Sequence, residues 1–250
     1  MEGFTLTRSL PGIYEDLDCK KFAAAGMSTQ HVIAYVLHLV LEALDSGSCG
    51  TRLFFADFRK GFDLINHTTL LSKLHSCNLH PCLVRWIAAF LQGRSQSVRI
   101  GSDSSNIRSL NGSILQGTKL GLILFSVMVN DLVSTWPKRA KYVDDQTILE
   151  IIPRNSPSYL NCIVDDSQCF CHRNNMRLNP ANCKAMTIDV LDYNSCIWRR
   201  ICKGGVVIES VKAIKFLGVY ISEDLTWGVH CDYIIKKANR RLYALRTLKK

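Results

Sequence analysis

The chain has 250 residues, 47% hydrophobic and 21% charged, a globular balance with length for one large domain or two modest ones. Its net charge of +10 points toward a polyanionic partner, the alternative being a basic protein that has none. Met1 to Thr5 do not read as a secretory signal, and the longest apolar stretch, Leu120 to Val133, is too short to span a bilayer and carries Asn130 and Asp131.

Ser28 to Leu44 has helical apolar spacing through Val32, Val36, Leu39 and Ala43, and Asp45-Ser46-Gly47 stops it. Arg52 to Phe58 is a short apolar run, read as a buried strand. Thr68 to Leu74 reads as a short helix, and Pro81 opens another that stops at Gly93. Ser97 to Ile100 and Ile107 to Leu110 read as strands around a polar loop. Thr118 to Val133 reads as a helix after a glycine turn. Ser156-Pro157 opens a helix that ends near Asn174-Asn175, and Lys184 to Val190, Val206 to Glu209 and Lys215 to Ile221 read as strands. Thr226 would cap a last helix with apolar positions Val229, Tyr233, Ala238, Leu242, Leu245 and Leu248. That helix runs to Lys250 with no stop signal, so the chain reads as a fragment. Hairpins mixed with helices favour an α+β fold with helices on one face of the sheet.

Eleven cysteines show no repeated CxxC spacing. Cys162, Cys169, Cys171 and His172 fall around one helix, so buried thiols in a reducing compartment are expected rather than zinc.

Tyr142-Val143-Asp144-Asp145 lies between two runs of strand character and reads as a hairpin tip. Paired acids there fit a solvated turn or a divalent-cation site. Asp57 ends the buried run Leu53-Phe54-Phe55-Ala56, where an unpaired carboxylate is costly. If the two strands are neighbours, three carboxylates converge, a hard-oxygen set suited to Mg2+ with substrate phosphates. Two such ions can activate a 3′-hydroxyl and stabilise a leaving pyrophosphate. Arg59 and Lys60 could meet phosphates or solvent, and Phe62 could lie beneath a sugar ring or in the core. Gln116-Gly117 precedes a helix whose free N–H groups could receive phosphate or template backbone. The segment 226–250 carries seven basic side chains, Lys236, Lys237, Arg240, Arg241, Arg246, Lys249 and Lys250, against Asp232 alone. Such a face suits a nucleic-acid backbone or plain solvation.

Taken in order, these segments resemble the reverse transcriptases of non-LTR retrotransposons, the jockey-like mobile elements among them. Asp57 to Asp63 resembles the first catalytic motif, and Tyr142-Val143-Asp144-Asp145 resembles the YxDD box. Gln116-Gly117 with Gly121 to Phe125, Met176-Arg177-Leu178-Asn179, and Phe216-Leu217-Gly218-Val219 are similar to the intervening and later palm motifs. The resemblance covers most of residues 20–250. It implies a right-hand polymerase: an antiparallel palm sheet backed by helices, with partial fingers and partial thumb. Residues 1–50 would be partial fingers, 51–190 palm with a fingers insert over about 66–112, and 191–250 the palm's end and the start of the thumb. It implies RNA-directed DNA polymerisation with two Mg2+ ions (Mn2+ a substitute), an RNA template, a DNA primer and dNTPs, in an intracellular setting, with no membrane and no specific protein partner. By the same resemblance Asp57, Asp144, Asp145 and the Phe58 carbonyl would hold metal, and Phe62, Gln116, Gly117 and Lys60 would meet the nucleotide. Phe216, Leu217 and Gly218 would form the primer grip, and Lys236, Lys237, Arg240 and Arg241 would follow a nucleic-acid backbone.

Two departures stand out. Leu122 occupies the family's usual proline position, and Asn182 its usual general-acid lysine, with Lys184 two residues on as a stand-in. A catalytically inactive nucleic-acid-binding remnant is the alternative reading. A nucleotide cyclase on a related sheet is disfavoured by Gln116-Gly117 and the helix-rich insert.

Overall fold

Strand β1 (Cys49–Ala56) is the centre of the molecule because its side chains serve two cores. Phe54 points into one, while Leu53 and Phe55 point into the other, the alternation of a strand covered on both faces. A computed structural model describes residues 12–23, 26–47, 49–77, 79–110, 112–190, 201–203 and 206–248. In it β1 pairs antiparallel with β7 (Asp145–Pro153) and β8 (Lys184–Ile188). β6 (Arg139–Tyr142) and β11 (Glu209–Ser210) complete a five-stranded sheet in the order β11-β8-β1-β7-β6, with only the β11–β8 pair parallel. The mixed helix and sheet form the α+β architecture the sequence predicts.

The larger core holds α2 (His67–Ser76), α3 (Pro81–Leu91), α4 (Lys119–Met128) and α5 (Leu160–Arg173) against one sheet face. Leu70, Leu74, Ile87, Leu91, Leu120, Leu124 and Phe125 are fully buried there, each worth about 1.5–3 kcal/mol of transfer free energy. Helices were expected on one face only. The other face is covered as well, by α1 (Thr29–Asp45) through Val32, Val36, Leu39 and Val40, and by Phe216 and Ile221 of the hairpin β12 (Ala213–Phe216) and β13 (Val219–Ser222).

The edge of β6 is covered by residues 20–22, where Phe22 N–H donates to Lys141 C=O and Lys141 N–H to Lys20 C=O. A buried ion cluster fixes this contact. Asp18 meets Arg139 Nη2 at 2.7 Å and Lys141 Nζ at 2.8 Å. Burial would raise the Asp18 carboxyl, but the hydrogen bonds from Arg139 and Lys141 win and hold it at about 2. Beside it, burial and the Lys141 charge push the Lys21 ammonium down to about 7.

Several elements differ from their sequence reading. The strands expected at 97–100 and 107–110 are a two-tier ribbon: β2 (Arg94–Gln96) pairs β5 (Arg108–Leu110), and β3 (Arg99–Ile100) pairs β4 (Asp103–Ser104). α4 ends at Met128 because the chain turns through Val129 to Trp136, with Val133 at φ +43. α5 starts at Leu160, after Glu150 accepts hydrogen bonds from Ser158 Oγ and the Tyr159 N–H, an anion at a helix N-terminus. β9 (Cys202–Lys203) and β10 (Val206–Val207) form a small separate ladder. The run 215–221 is two strands, because Leu217-Gly218 turns it. The last helix, α6 (Gly228–Leu248), buries none of its residues, so its apolar positions do not pack as a core face; Lys249 and Lys250 lie outside the described residues. Cys171 and Cys183 are buried as expected of thiols, but Cys19, Cys82, Cys162, Cys169 and Cys231 are exposed.

Candidate active site

Pairing register brings the acids together. Tyr142 pairs with Asp145, leaving Val143 and Asp144 as the tip of the β6–β7 hairpin. Val143 adopts φ +54, unusual for a β-branched residue, and the Gln146 side-chain amide donates to its carbonyl at 2.9 Å. Across the β1–β7 ladder Ala56 stands opposite Gln146, so the next residue, Asp57, comes level with Asp145. The Asp145 carboxyl is pushed up to about 6, first by desolvation and then by the charges of Asp144 and Asp57. Asp144 and Asp145 are nevertheless both exposed to solvent, so the crowding acts on the carboxyl and not on a fully buried residue.

Asp57 is gripped by the segment that precedes β8. Its carbonyl accepts from Asn179 N–H at 2.8 Å, and its own N–H donates to Cys183 Sγ at 3.4 Å. Phe58 bridges Leu178, and Arg59 N–H donates to Arg177 C=O at 2.8 Å. The run 176–179 therefore acts as a short extra strand holding the acid-bearing turn. Asn182 Nδ2 donates to Asp57 Oδ2 at 3.1 Å. Sequence reading marked Asn182 as a departure but missed this bond, which only the folding of 179–183 around Asp57 reveals.

The nucleotide-side candidates split in two. Lys60, at φ +51, and Gln116 and Gly117 are exposed. Phe62 is buried at 7% exposure and stacks on Phe125 with centroids 4.5 Å apart, packed beside the acid-bearing turn. Phe58 meets the same Phe125 ring edge-on at 6.2 Å, which ties the acid-bearing turn to α4. The loop into α4 is closed by Thr118, whose Oγ1 accepts from Gly121 N–H at 3.0 Å. A Cβ at Gly121 would lie 2.1 Å from the Leu115 carbonyl oxygen, so glycine is required there.

Lys184 is engaged elsewhere: its ammonium meets Glu209 at 2.6 Å and the Ala181 carbonyl at 2.9 Å. Leu217 and Gly218 form the two-residue turn of β12–β13 at φ +47 and +97, a primed hairpin turn. Phe216 is buried with its ring 5.4 Å from Phe55, docking that hairpin on the central strand. Lys236, Lys237, Arg240 and Arg241 are exposed on α6. Among the described residues no three His, Cys, Asp or Glu side chains are grouped to hold one metal ion. The carboxylates do fit Mg2+ in its usual mode, one or two carboxylates completed by substrate phosphates, because they are hard donors crowded enough to perturb one another.

A helix-backed palm sheet with acids at the ends of its central strands is the right-hand polymerase fold. Residues 15–221 match the family described as "Reverse transcriptase (RNA-dependent DNA polymerase)", and the chain belongs to that family. It is 27% identical over 241 residues to the RNA-directed DNA polymerase from mobile element jockey of Drosophila melanogaster, covering 87% of this chain and 26% of that protein. It is 25% identical over 240 residues to the probable RNA-directed DNA polymerase from transposon BS of the same species, covering 89% and 26%. The chain thus spans about a quarter of these relatives. Among solved structures it is similar to apo telomerase from Candida tropicalis truncated from its C-terminal domain (TM-score 0.61, 11% identity, 89% of this chain and 44% of that one). It is also similar to Candida albicans telomerase with a fragment of telomeric RNA (TM-score 0.55, 13% identity, 89% and 36%). The family and fold read from the ordered motifs are borne out. Among the described residues no helix is long and apolar enough to cross a membrane.

Proposed function

We propose that this chain carries the palm of an RNA-directed DNA polymerase from a mobile element, using an RNA template, a DNA primer and dNTPs. The observation that carries the reading is the β1–β7 register, which sets Asp57 level with Asp145 beside Asp144. Two Mg2+ ions, when bound, would activate the primer hydroxyl and stabilise the leaving pyrophosphate. Asp57 and Asp144 would hold them, with Asp145 and the Phe58 carbonyl in support. Lys60, Gln116 and Gly117 line the nucleotide side, with Phe62 as the wall behind them. Phe216 to Gly218 steady the primer. Lys184 would serve as general acid only after leaving Glu209. The division follows: partial fingers over 1–50, palm over 51–190 with a fingers insert over about 66–112, and palm end with thumb start over 191–250. Residues 1–11 and 191–200 lie outside the described residues. The setting is intracellular.

Primer extension on an RNA template with Mg2+ and dNTPs tests this. Template-directed product that disappears in Asp144→Asn is expected; product undiminished in that variant refutes the assignment. The Lys184–Glu209 pair favours one second reading, a nucleic-acid-binding remnant without catalysis. It predicts salt-dependent RNA binding and no dNTP incorporation, and incorporation that depends on Asp57 excludes it.

A further inference from the structure

Two uncovered surfaces of this chain match each other. One is a hollow between α1, the end of β13 and the start of α6. Its cavity of 180 Å³ is lined by Leu37, Leu41, Ile221, Leu225 and Trp227, with Leu41 48% exposed. That volume lies below the roughly 300–1,000 Å³ of small-molecule sites and suits the apolar anchor side chains of a docking partner. Its rim is acidic in a chain of net charge +10. Asp45 stands one helical turn beyond Leu41, Glu42 is beside it, and α1 contains no Lys or Arg. Asp224 closes the other side, accepting from Ser222 Oγ at 2.5 Å and from the Thr226 N–H at 3.0 Å. Among the described residues, Glu42, Asp45 and Asp224 form no ion pair.

The other surface is α6, which buries none of its residues. Helical spacing gathers Ile235, Ala238, Leu242 and Leu245 into one stripe, with Arg241 on one flank and Arg246 on the other. Lys236, Lys237 and Arg240 lie on the opposite side of the helix. We propose that the chain forms a two-fold dimer in which α6 of each copy lies in the acidic hollow of the other. Leu242 and Leu245 enter the hollow, and Arg241 and Arg246 meet Glu42, Asp45 and Asp224. The arrangement closes: α6 begins beside its own hollow and reaches Leu242 about 22 Å further on, so two antiparallel copies set each far end over the other's hollow. One side of a helix about 31 Å long and about 10 Å wide has a footprint of roughly 300 Å². Two such contacts, counted on both partners, hide about 1,200 Å², within the range of stable interfaces. A helix pairing only with its own copy would instead set Arg241 and Arg246 against like charge. The dimer goes beyond the polymerase reading and stands whether or not the chain extends a primer.

Sedimentation velocity of the 250-residue chain tests this. At about 50 μM it is expected to sediment as a dimer, at twice the chain mass of 28.2 kDa. Leu245→Glu on α6 and Leu41→Glu in the hollow should each raise the dimer dissociation constant at least about 100-fold. Arg241→Glu/Arg246→Glu should raise it about tenfold, and adding Glu42→Arg/Asp45→Arg to the same chain should restore it. Circular dichroism checks folding. All of these side chains are exposed, and Asp45→Arg, expected to weaken the dimer about tenfold, takes the place of Leu41→Glu should that variant unfold. A monomer at that concentration overturns the proposal and leaves the hollow to another occupant. A dimer indifferent to both Leu41→Glu and Asp45→Arg pairs α6 with α6 and overturns it too, as does one indifferent to Leu245→Glu.

Discussion

Replacing Asp18 with asparagine should destabilise the fold and remove a defined part of its acid sensitivity. The Asp18 side chain is 3% exposed and faces Arg139 and Lys141 within 2.8 Å. Its carboxyl is held at about 2 instead of 3.8, which converts to roughly 2 kcal/mol after allowance for screening. Asparagine also leaves Arg139 and Lys141 without their counter-charge in a buried place, so a loss of about 3 kcal/mol is expected. The sign follows from linkage. A carboxyl depressed on folding contributes stability above its unfolded value near 4, and that contribution fades as pH falls from about 4 towards 2. Urea unfolding of both proteins by circular dichroism between pH 2 and 7 measures it. The gap in unfolding free energy should be widest near neutrality and close across that window. A gap under about 0.5 kcal/mol at pH 7, or one constant with pH, would refute the electrostatic account of how residues 18–22 hold β6.

Lys21 makes the opposite case. Its ammonium is depressed to about 7, so stability should rise between pH 7 and about 10, and Lys21→Met should gain about 1–3 kcal/mol at pH 6 by urea titration. Gly121→Ala should cost about 2–3 kcal/mol because of the Leu115 carbonyl, while Gly228→Ala, with open space around it, should be neutral or gain up to about 1 kcal/mol; paired thermal melts compare them. Phe62→Ala and Phe125→Ala should each cost about 3–5 kcal/mol, with a coupling near 1 kcal/mol in a double-mutant cycle from their stack. Asn182→Ala, which frees Asp57 Oδ2, should weaken Mn2+ binding about tenfold by electron paramagnetic resonance titration; unchanged affinity would show the bond is incidental.

Strongly patterned segments were legible from residues alone. Val32, Val36 and Leu39 gave α1, and the apolar run ending at Asp57 gave β1, because periodicity and burial agree there. The meeting of Asp57 with Asp145 was legible only as a condition, since pairing partners distant in sequence leave no local mark. The ribbon at 94–110 was misread because its strands run only two or three residues and face water on both sides. α6 was legible as a helix, but not that it lies uncovered, because an apolar stripe says that a helix has a greasy side, not that something covers it. Asn182 and Cys183 were invisible as neighbours of Asp57, because a loop folding back on a strand follows no period.

The distance between the two acid-bearing strand ends is a matter of counting. Asp57 and Asp145 are aligned by eight successive residue pairs running from Cys49–Pro153 to Ala56–Gln146. A ladder cannot slide by a fraction of a residue: the smallest slip is one whole step of about 3.3 Å, and it turns every side chain of the strand to the opposite face. The geometry of this centre is therefore discrete. Side-chain substitutions can tilt or recharge a carboxylate, but only inserting or deleting a residue in β1 or β7 can move one acid along the other.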